Sequence, residues 1–131
     1  MILTQITPVV SPNETKISPD LVISAIEVFP AEPTAGNAFT FNVYVSNQGN
    51  ATSGEYDLAI SIKDVSRNLT YPVGTFRKSA LQPGENVPVF SKNDQLVNDP
   101  GSFQIHCEIK PFLFTDGNAN NNIKIRAFQV N

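Results

Sequence analysis

Residues 19–50 read PDLVISAIEVFPAEPTAGNAFTFNVYVSNQGN, and the second half of this stretch decides the fold. Apolar and polar side chains alternate strictly from residue 39 to residue 46. Four apolar side chains share one phase of the run: Phe39, Phe41, Val43 and Val45. Successive Cβ atoms of a strand point to opposite faces of a sheet, so this alternation predicts a half-buried antiparallel strand that ends at the Asn-Gln-Gly turn.

The same kind of pattern recurs along the rest of the chain. It predicts seven short strands, at residues 20–29, 38–46, 55–63, 68–76, 86–91, 102–110 and 122–130. Their regular spacing, with Pro and Gly turn signals between them, is typical of an immunoglobulin-like sandwich. We therefore predict an all-β fold, a seven-stranded antiparallel Greek-key sandwich over residues 20–131. An extended Pro-rich arm, residues 1–19, precedes it.

Several local features refine this prediction. The apolar residues of the first strand change phase, which predicts a β-bulge near Ser24. Pro72 cannot donate to a ladder, so the fourth strand is expected at a sheet edge. In that strand Leu69, Tyr71 and Val73 share one phase. Residues 92–101 are expected to form a loop before the sixth strand.

The single cysteine, Cys107, falls in the inward phase of the sixth strand, with Ile105 and Ile109. A lone cysteine cannot form an internal disulfide. The two alternatives are a buried free thiol, the more common state of an unpaired cysteine, and a bridge to a second chain. His106 falls in the outward phase, where we expect it to be solvated.

Composition argues against several classes of function. Nine Lys and Arg residues are scattered along a chain of net charge −3 that lacks Trp, which argues against nucleic-acid binding. No apolar run approaches the roughly 20 residues needed to span a bilayer, so membrane insertion is not expected. The sequence carries no Gly-x-Ser-x-Gly motif, no glycine-rich phosphate loop and no partner for its one His. We predict neither enzymatic activity nor a cofactor.

Asp116, Asn118 and Asn120 place side-chain oxygens at alternate positions, as the start of a calcium loop does. The position that calcium loops fill with Gly holds Asn121, and the one that closes the coordination with Glu holds Ala127. A tight hairpin built on Asx turns is the favoured interpretation of this segment. The three side chains are kept as weak metal-site candidates, and no metal is predicted.

Residues 19–131 resemble the CARDB family, immunoglobulin-like modules named for an association with bacterial cell adhesion. The motifs that carry the resemblance are turn signatures: Pro19-Asp20-Leu21-Val22, the Pro30, Pro33 and Gly36 turn, Asn47-Gln48-Gly49, Leu81-Gln82-Pro83-Gly84, Pro100-Gly101-Ser102-Phe103 and Asn121-Asn122. The resemblance implies an immunoglobulin-like fold. It also implies modules that occur as repeats in long exported surface proteins.

Two hypotheses for function follow. In the first, the chain is a non-enzymatic structural protein that decorates a larger assembly such as a phage capsid, at the virion surface. Its arm would supply apolar anchor residues: Ile2, Leu3, Ile6, Val9 and Val10. The initial Met, the lack of a signal peptide and the single module favour this hypothesis. Capsid or surface-layer subunits, a host-surface glycan and a second copy of the chain are the partners it allows.

The alternative hypothesis makes the chain an adhesion or spacer module of a bacterial or archaeal cell-surface protein. In that case it would be extracellular, and Met1 would be a cloning start.

Overall fold

A computed structural model describes residues 17–131. Seven strands and one 3₁₀ turn make up its regular structure. The strands are β1 (Leu21–Phe29), β2 (Phe39–Asn47), β3 (Tyr56–Asp64), β4 (Leu69–Lys78), β5 (Asn86–Gln95), β6 (Gly101–Pro111) and β7 (Ile123–Val130). The 3₁₀ turn, Ala119–Asn121, precedes β7. The all-β prediction is confirmed.

The strands form two antiparallel sheets, ordered β1-β2-β5 and β4-β3-β6-β7. Three hairpins, β1–β2, β3–β4 and β6–β7, stay within a sheet, whereas the other three connections cross between the sheets. This confirms the immunoglobulin-like Greek-key sandwich. In constant-type immunoglobulin domains the fourth strand pairs with the fifth. Here β4 pairs with β3 instead, which leaves β4 and β5 as facing edges of opposite sheets.

The inward phases of both sheets meet in a single core, as the alternation predicted. Nineteen apolar side chains are buried there: Leu21, Ile23, Ile26, Val28, Phe39, Phe41, Val43, Val45, Tyr56, Leu58, Ile60, Ile62, Leu81, Phe103, Ile105, Cys107, Ile109, Phe128 and Val130. Three Phe rings link the sheets, with Phe90 lying 5.6 Å from Phe41 and 4.8 Å from Phe76 between ring centroids. Aromatic pairs at such separations add to the free energy gained by burying the rings.

The predicted irregularities are present. The register of β1 against β2 shifts between Ile23 and Ala25, which confirms the β-bulge at Ser24. The strand that contains Pro72 lies at the edge of its sheet, as its missing N–H requires. The pairing of β3 with β4 also shifts register, between Ile60 and Ser61, next to Pro72.

The strand predicted at 86–91 was cut too short, because β5 continues to Gln95. The polar segment Lys92-Asn93-Asp94 does not alternate, so it was assigned to a loop. In the structure Phe41 pairs with Lys92 and Phe39 with Gln95. At a sheet edge, backbone pairing to one partner strand suffices, and the side chains can remain polar.

The last two strands form the predicted hairpin, but the connection between them is not tight. Eleven residues, 112–122, connect β6 to β7 and include the 3₁₀ turn. The Asx turns expected there are present: the Asn118 N–H donates to Asp116 Oδ1 at 2.9 Å, and the Asn120 N–H donates to Asn118 Oδ1 at 3.1 Å. Consecutive Asx turns build an ordered loop that is longer than a hairpin turn.

Cys107 is a buried free thiol with 1% of its surface exposed. Its sulfur faces the interior of the sandwich, where a second chain cannot reach it without unfolding the domain. The alternative of an inter-chain bridge is therefore wrong for this fold.

Burial raises the pKa of the Cys107 thiol to about 12 and that of the Tyr56 phenol to about 12, from ordinary values of 9.0 and 10.0. Unfolding lets both groups ionise. The contribution of these two groups to the free energy of unfolding is therefore fully present below about pH 9. It is lost as the pH rises toward 12. We expect urea unfolding between pH 7 and 11 to show this decline. In a Cys107→Ala variant the decline should begin about one pH unit higher, because the remaining group, Tyr56, has an ordinary pKa of 10.0 and not 9.0. An identical profile for the two proteins would contradict the assignment.

Candidate functional site

The chain enters the sandwich at an end where several sequence motifs meet. Ser18 and Pro19, the last residues of the predicted arm, lie beside the turn after β2 and the 112–122 loop. The Ser18 N–H donates to Asn50 Oδ1 at 2.9 Å, and the Asn50 N–H donates to the Ser18 carbonyl at 3.1 Å. The Gly117 N–H donates to the Pro19 carbonyl at 2.7 Å. We name this end, residues 18–21, 47–50 and 116–122, the arm junction.

Asn47 is the central side chain of the arm junction and is 1% exposed. Its Oδ1 accepts from the N–H groups of Asp20, at 3.1 Å, and Gly49, at 3.0 Å. Its Nδ2 donates to the carbonyls of Ala51, at 2.8 Å, and Leu81, at 3.0 Å. One buried amide thus bonds to four backbone groups in three segments of the chain, and each of its bonds replaces a bond to water.

Asp116 closes the arm junction from the opposite sheet. Its Oδ2 accepts from the Leu21 N–H at 2.8 Å, a contact between residues 95 positions apart. The Asp20 carboxylate lies nearby and accepts at Oδ1 from Asn121 Nδ2 at 2.9 Å. Partial burial raises the pKa of Asp116 above its ordinary value, and the charge of Asp20 acts in the same direction. The N–H groups of Asn118 and Leu21 act to lower it.

Two of the three candidate metal ligands, Asp116 and Asn118, therefore have other partners. Both carboxylate oxygens of Asp116 and the Oδ1 of Asn118 accept backbone N–H groups. Within residues 17–131, no group of three or more His, Cys, Asp or Glu side chains could hold a metal ion. The side-chain oxygens of Asp116 and Asn118 thus stabilise the backbone conformation of this loop.

Gly49 lies against the chain as it enters the sandwich. A Cβ placed on Gly49 would overlap the Ser18 carbonyl oxygen and lie 2.6 Å from the Asp20 nitrogen, both of them backbone atoms. Backbone atoms cannot rotate away as a side-chain end can. We expect Gly49→Ala to lower the free energy of unfolding by about 1–3 kcal/mol, the usual cost of overpacking.

Gly36→Ala is not a suitable control for this substitution, since Gly36 has a φ of +83°. Ala51→Gly changes the same turn without adding an atom. We expect it to cost less than about 1 kcal/mol in chemical denaturation. Equal losses for Gly49→Ala and Ala51→Gly would show that the close approach of residues 18–20 is unimportant.

The other residues considered from the sequence lie elsewhere. His106 is on the outward face of its sheet, with Nε2 2.9 Å from Gln104 Oε1. The arm residues Ile2, Leu3, Ile6, Val9 and Val10 lie outside the described residues, so their role as an anchor stays a prediction. The division of the chain between residues 19 and 20 also stays a prediction. Over residues 17–131, no helix is long and apolar enough to cross a membrane.

A cavity of about 270 Å³, which no sequence pattern indicates, lies between the start of β4 and the segment that follows β5. Tyr71 and Asp64 form one side, Gln95 and Asp99 the other, and Phe103 lies at the base. From the sequence, Tyr71 is expected only to point to the same side of its strand as Leu69 and Val73. In the structure it is 49% exposed, because β5 does not cover this end of β4. The sequence carries no signal that distinguishes Tyr71 from Phe76, the other aromatic side chain of β4.

The two antiparallel sheets and their strand order define an immunoglobulin-like β-sandwich module. More specifically, the family model CARDB matches residues 18–126, most of the chain, and the chain belongs to this family. The turn motifs that suggested the family, among them Pro19-Asp20, Asn47-Gln48-Gly49 and Asn121-Asn122, lie together at the arm junction. No curated protein matches the sequence.

Solved structures share the fold. A CARDB domain from Pyrococcus furiosus, crystallised in complex with di-metal ions, is 21% identical, with a TM-score of 0.72 over 91% of this chain and 94% of that one. A domain of a protein described as a cell surface protein, from Methanosarcina acetivorans, is 19% identical, with a TM-score of 0.67 over 88% and 94%. A β-glucosidase from Erythrobacter marinus is 17% identical, with a TM-score of 0.59 over 86% of this chain and 16% of the enzyme.

These three structures show the same sandwich both alone and as part of a larger enzyme. None of the three is described as a virion protein, so they lend no support to the capsid hypothesis.

Proposed function

We propose that this chain is a non-enzymatic adhesion or spacer module of a bacterial or archaeal cell-surface protein. Membership of the CARDB family carries the proposal, and the likeness to the Methanosarcina domain supports it. The extracellular location belongs to the same proposal. So does the lack of catalysis, which agrees with an arm junction whose polar side chains are bonded mainly to backbone.

The positions of the two ends of the described chain suit a spacer. Residue 18 enters at the arm junction. At the other end, the Asn131 N–H donates to the Pro33 carbonyl at 2.9 Å, and the Ala35 N–H donates to the Asn131 carbonyl at 2.8 Å. The chain thus enters and leaves at opposite ends of the sandwich. Strands of nine residues, at about 3.4 Å per residue, separate these ends by about 30 Å.

A tandem fusion of two copies tests the spacer geometry. Small-angle X-ray scattering of the fusion should give a maximum dimension about 30 Å greater than that of the single chain. A fusion in which the copies pack side by side, with little increase in length, would contradict the spacer proposal.

Protease treatment of intact cells of the source organism tests the extracellular location. The protein should be digested without lysis, whereas full protection would argue against a surface role.

The arm is proposed to bind a protein partner through the five anchor residues Ile2, Leu3, Ile6, Val9 and Val10, whichever assembly contains that partner. A chain lacking residues 2–16 should keep the spectrum of the folded sandwich and lose co-purification with the partner assembly. Asp replacements at Ile6 and Val9 provide a second variant that leaves the length of the arm unchanged. Retained association of both variants would rule out the arm as the anchor.

A further inference from the structure

We propose that the cavity beside Tyr71 binds a neutral, monosaccharide-sized polyhydroxylated ligand. We name this cavity, lined by Ile62, Asp64, Tyr71, Gln95, Leu96, Val97, Asn98, Asp99 and Phe103, the edge pocket. Neither the CARDB match nor the proposed spacer role assigns a ligand to it. The inference goes beyond the proposed function.

The shape of the edge pocket follows from the strand pairing. Near the end of β4, β4 and β5 approach each other, and Phe76 packs there against Phe90. Toward the start of β4 the two edges separate, because each strand is hydrogen-bonded to a different sheet. The space left between them has a volume of about 270 Å³ and a base of two buried apolar side chains, Ile62 and Phe103. A cavity of this size suits one small ring better than an extended chain.

The wall of the edge pocket combines an aromatic face with hydrogen-bonding groups. Tyr71 is 49% exposed and presents a ring that the C–H face of a sugar can cover. Asn98 and Asp99 are exposed on the opposite side and offer amide and carboxylate groups to hydroxyls. The exposed lining is more polar than apolar, which suits a ligand rich in hydroxyl groups.

Gln95 supplies a further acceptor. Its Nε2 donates to the Leu96 carbonyl at 3.1 Å, whereas its buried Oε1 accepts no hydrogen bond from the described part of the chain. A buried acceptor without a donor is costly and uncommon. A small rotation of the Gln95 side chain would let a ligand hydroxyl supply the missing donor.

The charges of the edge pocket favour a neutral ligand. The buried carboxylate of Asp64 is already paired, since its Oδ2 lies 3.0 Å from Arg67 Nη1 and its Oδ1 accepts the Arg67 N–H. The Arg67 guanidinium also lies near Asp99. This cation disfavours a metal ion, and the two carboxylates disfavour an anion. Hydroxyl groups can use the remaining acceptors without adding charge.

Titration of the ¹⁵N-labelled full chain with glucose, galactose, mannose and N-acetylglucosamine tests the inference. For at least one sugar we expect shifts of the Tyr71, Asn98 and Asp99 amide signals, with a dissociation constant on the order of 1 mM, as is usual for so small a ligand. Tyr71→Ala should weaken that binding at least about tenfold. Tyr71→Phe, which keeps the ring, should weaken it much less.

Tyr44→Ala is the matched control, because Tyr44 lies on the outward face of the other sheet and should leave binding unchanged. Absence of shifts with all four sugars at about 50 mM, far above the expected dissociation constant, would overturn the inference. Shifts of the same amides by calcium chloride alone, without any response to sugars, would overturn it in favour of a cation site. Equal weakening by Tyr44→Ala and Tyr71→Ala would overturn it as well.

Discussion

Replacing Ile105 with Ala is expected to lower the free energy of unfolding by about 2–5 kcal/mol, the range for deleting a buried aliphatic side chain. Ile105 is 0% exposed at the middle of β6 and pairs with Ile62 of β3, which is 1% exposed. Close-packed interiors relax little around a lost side chain, so a cavity would remain in addition to the lost burial. Urea unfolding followed by circular dichroism measures the effect.

Ile125→Ala is the matched control for this experiment. Ile125 lies on β7, the neighbouring strand, but points outward and is 47% exposed. The same substitution there should change the free energy of unfolding by less than about 1 kcal/mol. If Ile105→Ala and Ile125→Ala were equally destabilising, the assignment of inward and outward faces would be wrong.

Asn47→Ala is expected to destabilise the sandwich by about 3–5 kcal/mol, at roughly 1 kcal/mol for each of the four hydrogen bonds of its amide. The loss is severe because the backbone groups that Asn47 joins are partly or fully buried and would be left without partners. Those groups belong to Asp20, Gly49, Ala51 and Leu81. Asn47→Asp should not rescue stability, since a carboxylate cannot donate to two carbonyl oxygens.

Asn50→Ala is the comparison for Asn47→Ala, because Asn50 lies three residues further along in the same turn. Its side chain makes one exposed hydrogen bond, from the Ser18 N–H. We expect a cost below about 1 kcal/mol, measured by the same denaturation experiment. Comparable losses at the two positions would mean that the turn, and not the buried amide, stabilises the arm junction.

The arm junction shows how family motifs can be read physically. Gly49 is required by the close approach of residues 18–20, and Asn47 by the carbonyls and N–H groups around it. Asp116 is only a weak metal-site candidate by sequence, because carboxylate and amide oxygens at alternate positions resemble the start of a calcium loop. Its two oxygens instead accept the N–H groups of Leu21 and Asn118. The same oxygen atoms satisfy backbone donors as readily as they bind a cation, so the motif alone could not distinguish the two uses.

The sequence by itself determined which side chains of β2, β3 and β6 face the core. Alternation is a property of the strand's own backbone, so Phe41 and Ile105 could be placed inward, and Pro72 at an edge, before any partner strand was known. Tertiary structure decided which edges meet. Pairing of β4 with β3, extension of β5 to Gln95 and convergence of Asp20, Asn47 and Asp116 join residues far apart in the chain. Such contacts depend on competition between alternative pairings across the whole fold, which no local pattern records.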